Sequence, residues 1–321
     1  MAHGYQTGRL DLPFVGLCTF AKSPICLDWD AIDADVAVLG APFDFGTQWR
    51  AGARFGPRAI RDASTLFSFG HDGAYDFEDD VVYMPKATTR MVDIGDADII
   101  HTDTETSHAN IEHAVRKILK AGALPVVLGG DHSIAIGTLA GIARVRGRAP
   151  GVLWVDAHAD VNAPQTTLSG NVHGMPVHFA LAAKSAEADR FAYIGLRDLD
   201  PGEREAVRAH GMRAFTMSDV DRIGIAGVAE AALAVIADGP GSVHVSFDMD
   251  AIDPIDAPGV GTPVRGGLTY REAHLLMEAV AASGAIGSLE VTEINPILDR
   301  QNQTAILAVE LILSALGKTV L

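Results

Sequence analysis

Val152-Leu-Trp-Val-Asp156-Ala-His158-Ala-Asp160 is a short apolar run that passes directly into acids and an imidazole at every second position. Side chains alternate along an extended backbone, so Asp156, His158 and Asp160 share a direction if the strand continues. Two other stretches have the same form: Leu124-Pro-Val-Val-Leu-Gly-Gly-Asp-His132-Ser133 and Val243-His-Val-Ser-Phe-Asp248-Met-Asp250. Apolar almost throughout, such strands are expected to be buried on both faces, as in a parallel sheet. Open α/β sheets bind ligands at the carboxyl ends of their strands, so the three polar clusters are expected to meet at one rim.

Working outward, further strands are expected at Asp35–Leu39 and Phe191–Gly195, with a weaker one at Ser288–Thr292. Helical patterns separate them. Thr106 or Ser107 can cap a helix whose stripe is Ile111, Val115, Ile118 and Leu119, and Gly122 ends it. Others run through 225–237, 270–282 and 304–316. This alternation predicts a doubly wound α/β sheet. Residues 70–103, with an acidic tip at Asp76-Phe-Glu-Asp-Asp80, are expected to form a solvated irregular loop. No repeat, linker or charge block divides the chain, so one domain is expected.

The chain has 321 residues, 25 Lys plus Arg against 41 Asp plus Glu, and a formal net charge of −16. Such a balance disfavours nucleic acid and anionic membranes, whose phosphates need basic patches, and favours cationic ligands. The two cysteines, Cys18 and Cys26, suit neither a disulfide framework nor a thiolate zinc site. The N-terminus has no apolar signal-peptide core, and the most apolar stretch, Ala305–Leu316, carries Glu310. A cytoplasmic protein is expected.

Clustered carboxylates repel each other, and burying each one costs several kcal/mol unless a cation compensates. Two divalent ions would do so. Four carboxylates with two imidazoles suit Mn²⁺ first, then Ni²⁺, Co²⁺ or Zn²⁺. Asp131, beside His132, is a candidate to orient a ligand imidazole or to serve a structural hydrogen bond. No Gly-x-Gly-x-x-Gly follows the first strand, and neither a Walker loop nor a Gly-x-Ser-x-Gly elbow occurs.

Gly129-Gly-Asp-His-Ser133, Asp156-Ala-His-Ala-Asp160 and Ser246-Phe-Asp-Met-Asp-Ala-Ile-Asp-Pro254 resemble the three signatures of the ureohydrolases, the arginase and agmatinase superfamily. The resemblance implies a single three-layer α/β/α domain over 35–321 with a mainly parallel, about eight-stranded sheet. Residues 1–34 become an extension contributing to subunit contacts in a homo-oligomer, a trimer or hexamer. It also implies a binuclear manganese centre. His132, Asp156, Asp160 and Asp248 would hold one ion, Asp156, His158, Asp248 and Asp250 the other, and Asp156 and Asp248 would bridge.

The activity so implied is hydrolysis of a guanidino compound to urea and an amine, by metal-hydroxide attack on the guanidinium carbon. Asp160 matches the proton-passing acid. His173, in Gly170-Asn-Val-His173, matches an acid–base or shuttle histidine, and Glu293, in Glu290-Val-Thr-Glu293, the partner of the guanidinium.

Two regions point to different substrates. Asp160-Val-Asn162 through Thr167, Ser169 and Asn171 to His173 is similar to the arginase loop that holds an α-carboxylate. Asp200, in Gly195-Leu-Arg-Asp198-Leu-Asp200-Pro-Gly-Glu203, falls where arginases contact the α-amino group, with Glu203 beside it. Gly40–Gly46 and Gly52–Arg61 look more like agmatinases and guanidinobutyrases, and Glu290 stands where arginases usually have Asp. L-Arginine is slightly favoured over agmatine, 4-guanidinobutyrate, or a smaller guanidine or biguanide. The rivals are a silent partner subunit of a hetero-oligomer and a metal amidohydrolase of related plan.

Overall fold

A computed structural model of the chain describes residues 13–47, 49–67, 74–77, 80–85 and 88–319. The strands among them are β1 (Val36–Ala41), β2 (Ala74–Asp76), β3 (Val81–Tyr83), β4 (Met91–Asp96), β5 (Leu124–Gly129), β6 (Gly151–Val155), β7 (Phe191–Leu196), β8 (Arg213–Thr216), β9 (Val243–Asp248) and β10 (Ile286–Thr292). The α-helices are α1 (Gly56–Ser64), α2 (Thr104–Lys120), α3 (Ala135–Arg146), α4 (Pro176–Ala182), α5 (Pro201–His210), α6 (Met217–Ile236), α7 (Tyr270–Ala282) and α8 (Gln303–Ala315). Eight strands form one sheet in the order β4-β1-β5-β10-β9-β6-β7-β8. Every neighbouring pair in it is parallel.

The apolar runs explain the layering. In β5, Val126 and Leu128 face the helices α1, α6, α7 and α8, while Val127 faces α2. In β6, Leu153 and Val155 lie on the first side, and Val152 and Trp154 pack towards α3 and α4 on the other. Helices on both faces make the strands wholly buried. At the end of β5 the backbone runs so close to Phe43 that a Cβ on Gly130 would stand 1.8 Å from its carbonyl oxygen, which only glycine allows.

The structure corrects several boundaries. Residues 70–103 are not irregular throughout: they hold the β2–β3 hairpin and the edge strand β4. Met91-Val-Asp-Ile-Gly-Asp96 hides as a strand because Asp93 interrupts the apolar pattern. That acid is buried and paired with Arg61 of α1, at 2.8 Å between Asp93 Oδ2 and Nε. Asp76, read as part of a solvated tip, is buried and accepts from both the amide and the hydroxyl of Thr319. Helix α2 starts earlier than Thr106, because the Asp103 carboxylate accepts from the Thr106 amide at 2.9 Å. Helix α6 begins at Met217; a left-handed Gly224 (φ 72°) interrupts it and breaks the periodicity before Ile225. Strand β8 is short, with only Phe215 buried, so its pattern is weak.

The segment before β1 covers the outer edge of β4. The Phe20 amide donates to Asp93 (2.9 Å), Trp29 Nε1 donates to the Ile94 carbonyl (2.9 Å), and Ile25 bridges to Asp93. An open edge is thereby closed by the chain's own extension.

Candidate metal centre and active site

Strands β5, β10, β9 and β6 are consecutive across the middle of the sheet, so their carboxyl ends lie side by side. His132 follows β5, Asp156, His158 and Asp160 follow β6, Asp248 ends β9 and Asp250 follows it, and Glu293 follows β10. His132 Nδ1 stands 2.9 Å from Asp248 Oδ2, 3.1 Å from Asp156 Oδ2 and 3.3 Å from Asp160 Oδ2. His158 Nδ1 stands 3.1 Å from Asp250 Oδ2 and 3.4 Å from Asp156 Oδ1. Asp156 therefore turns one oxygen to each histidine. Two donor groups result, His132–Asp156–Asp160 and Asp156–His158–Asp250, with ligand atoms close enough to hold an ion each. All of these residues are buried except His158, which is half-buried.

A chain of buried hydrogen bonds behind His132 tests whether cations fit. Ser246 Oγ donates to Glu290 Oε1 at 2.7 Å. A hydroxyl has one proton, so towards His132 Nε2, 2.8 Å away, it must accept. The proton of a neutral His132 is then on Nε2, and Nδ1 carries a lone pair. That atom is buried, has no hydrogen-bond partner, and faces three carboxylate oxygens. Lone pair against carboxylates is repulsive unless a positive charge lies between them. Burial opposes charging His132 and His158, but the surrounding carboxylates outweigh it and both pKa values rise well above the usual range. Burial, together with Asp156, pushes Asp160 up to about 6. These shifts are those of a site short of cations, and an oxygen-rich set with two imidazoles suits divalent ions.

The Trp154 ring stacks on His132 at 4.0 Å and 7°, and its Nε1 donates to Asp156 Oδ2 at 2.9 Å. Thr262 Oγ1 donates to Asp250 Oδ2 at 3.1 Å. The half-buried Arg197 guanidinium donates to the carbonyls of Gly195, Ala251, Asp250, Ile252 and Val264, tying the loops that flank Asp250. Sequence reasoning missed these supporting groups, apart from noting Glu290 as a departure. A buried Ser or Glu inside an apolar strand was the available signal.

Glu293 and His173 form a second pair. Glu293 Oε1 accepts from the His132 amide and from His173 Nδ1, each at 3.0 Å. Burial opposes a charge on His173, but the bond to Glu293 and the nearby Asp131 and Asp160 prevail, raising its pKa to about 9. Glu293 and Asp160 both have left-handed backbones, with φ of 64° and 51°. Such strain in non-glycine residues persists only where the surroundings impose it; the Glu293 amide is held by the Gly130 carbonyl at 2.8 Å. Asp131 does not touch the His132 ring. It binds the Ser133 amide and hydroxyl and, through Oδ2, the Gly46 amide.

The proposed substrate residues divide. Asn162 Nδ2 donates to Asp200 Oδ2 at 2.8 Å, and Asp200 Oδ1 caps α5 by accepting from the Glu203 amide at 3.0 Å. Burial pushes the Glu203 carboxyl up to about 8. Thr167 and Ser169 instead make local turns, accepting from the amides of Gly170 and Asn171. The structure gives neither side chain a bond to the Asn162–Asp200 group, and Asn171 Oδ1 is buried without a partner.

Residues 34–317 match the family model described as the Arginase family. The chain belongs to the Arginase family. It is 41% identical over 305 residues to an arginase of Bacillus caldovelox, covering 88% of this chain and 98% of that one. The crystal structure of arginase from Bacillus subtilis superposes with a TM-score of 0.77 at 40% identity, over 89% of this chain and 99% of the other. Proclavaminate amidino hydrolase from Streptomyces clavuligerus reaches a TM-score of 0.83 at 31% identity, over 95% and 97%. As an Arginase family member the chain is a ureohydrolase, a hydrolase of guanidino C–N bonds. The family depends on paired metal ions, and the Asp and His clusters required for them are present. Among the described residues no helix is long and apolar enough to cross a membrane.

Proposed function

We propose that the chain hydrolyses L-arginine to L-ornithine and urea. The observation that carries this reading is the Asn162–Asp200 pair, which begins two residues beyond Asp160. It offers the remaining Asn162 Nδ2 N–H for an α-carboxylate and the Asp200 carboxylate for an α-ammonium, while Glu293 takes the guanidinium. His132, Asp156, Asp160 and Asp248 would hold one divalent ion and Asp156, His158, Asp248 and Asp250 the other. Mn²⁺ is first choice, with Ni²⁺ and Co²⁺ next.

When bound, the ion pair supplies positive charge that lets water ionise near neutral pH. Glu293 orients the guanidinium through charge-assisted hydrogen bonds. A C–O bond forms at the guanidinium carbon and the bond to the alkyl-bearing nitrogen breaks. Asp160 takes the first proton that water gives up and passes it to that nitrogen, and the second, lost from the hydroxyl as the urea carbonyl forms, turns the departing amine into an ammonium. His173, anchored at Nδ1 by Glu293, has Nε2 for exchanging protons between the leaving amine and solvent. The balance is one water and one guanidinium consumed, one urea and one ammonium formed.

Residues 1–34 would contribute contacts in a homotrimer or hexamer, and the acidic, cysteine-poor chain would work in the cytoplasm. The test is urea release from L-arginine, agmatine, 4-guanidinobutyrate, guanidine and a biguanide, with Mn²⁺ loaded. Arginine should be turned over fastest; a much faster rate with another compound overturns the arginine reading. Agmatine or a related guanidine is second, favoured by overlay on a hypothetical agmatinase from Burkholderia thailandensis (TM-score 0.82 over 95% of this chain). No hydrolysis by metal-replete protein would point to a silent partner subunit.

A further inference from the structure

Gly261 is a buried glycine that the backbone does not require. Its φ lies outside the left-handed region, and a Cβ built on it would meet no atom closer than 3.8 Å. The atoms it would meet are Glu293 Oε2 and the Arg50 carbonyl oxygen at 3.8 Å, and the Trp49 carbonyl oxygen at 3.9 Å. The position is fixed from both sides. Val260 bridges to Ile294, the Asn295 amide donates to the Gly259 carbonyl at 2.7 Å, and Thr262 holds Asp250.

Both bonds made by Glu293 end on Oε1, which leaves Oε2 to this recess. The Trp49 carbonyl accepts from Thr47 Oγ1 at 2.9 Å, and the Arg50 carbonyl from Asn295 Nδ2 at 2.7 Å. A carbonyl oxygen has two lone pairs, so each has one to spare. Three acceptors, one of them anionic, thus border a space that holds no side chain. The matching ligand is a flat cation with N–H donors along its edge, a guanidinium.

We infer that Gly261 is a specificity-determining residue: it keeps open the recess in which Glu293 Oε2 and the Trp49 and Arg50 carbonyls receive the terminal NH₂ groups of the guanidinium. The recess admits guanidines whose terminal nitrogens are unsubstituted and rejects those carrying an alkyl group there. This rests on the reading of Glu293 as the guanidinium partner.

The test takes the panel compound that the wild type hydrolyses best, together with its analogue methylated on a terminal nitrogen. Gly261→Ala should keep its metal content by elemental analysis and its melting temperature. Its kcat/KM should fall about tenfold or more, mainly through KM. The wild type should favour the unmethylated compound by a similar factor. A variant within about twofold of wild type, or equal turnover of the methylated compound, overturns the inference. If Gly261→Ala does not fold, the methylated compound decides alone. A wild type that releases urea from no compound counts instead against the proposed function.

Discussion

His132 shows how one side chain is prepared by others that never reach the reaction. Ser246 and Glu290 set which ring nitrogen bears the proton, and Trp154 fixes the plane of the ring. His173 is prepared differently, by a single anchor at Nδ1. Its replacement separates proton transfer from ion binding. His173→Ala should lower kcat by roughly 10² or more while metal per chain is unchanged, read by steady-state kinetics and elemental analysis. Loss of an ion would make His173 a ligand instead. At this scale the sequence was most legible in which residues meet, as at Asp156, His158 and Asp160, although β6 ends at Val155 and Asp160 turns left-handed instead of continuing the strand alternation. It was least legible where backbone conformation carries the effect. Nothing in Glu290-Val-Thr-Glu293 announces the left-handed turn that aims Glu293 at both His132 and His173.

Arg61 joins α1 to the edge strand β4. It reaches Asp93 through Nε and Nη2, and Asp96 through Nη1 at 2.6 Å. Removing one partner leaves a buried charge uncompensated. Arg61→Met should cost about 3–5 kcal/mol of stability in urea titration, and adding Asp93→Asn should recover part of it. Helices α7 and α8 meet at His274, whose Nδ1 lies 2.9 Å from Ser314 Oγ. Burial, helped by Lys318 and Arg271, lowers His274 from 6.5 to about 4. Between these values the unfolded chain binds a proton that the folded chain refuses. Its contribution is therefore whole above pH 6.5 and declines as pH falls towards 4. From pH 7 to pH 5 the wild type should lose about 2 kcal/mol more than His274→Gln does, measured by paired denaturant titrations. Equal losses would contradict the assignment. Central strands such as β5, β6 and β9 were legible because burial on both faces makes them almost uniformly apolar. The edges β4 and β8 were not: in β4 the buried Asp93 pairs with Arg61 far away in sequence, and β8 is short with only Phe215 buried.

For the whole molecule, a net charge of −16 is partly local: four of the acids stand within one group of donors at the sheet rim. Cations that bind the folded chain alone must stabilise it, by about 4 kcal/mol per ion at a thousand times Kd. Mn²⁺ should thus raise the melting temperature of chelator-treated protein, and Asp156→Ala, lacking the shared carboxylate, should lose most of that rise. An unchanged response would remove Asp156 from the ion site. Arg197 carries a last consequence. A catalyst that cleaves guanidines is built from a chain that contains them, and one lies next to its own acidic rim. That group spends its terminal N–H donors on five carbonyl oxygens, from Gly195, Ala251, Asp250, Ile252 and Val264. Thus tethered it can neither turn towards Glu293 nor present its carbon for attack. The molecule tells self from substrate by occupancy: the terminal N–H groups of its own guanidinium are already engaged, and only a visitor arrives with such donors to offer.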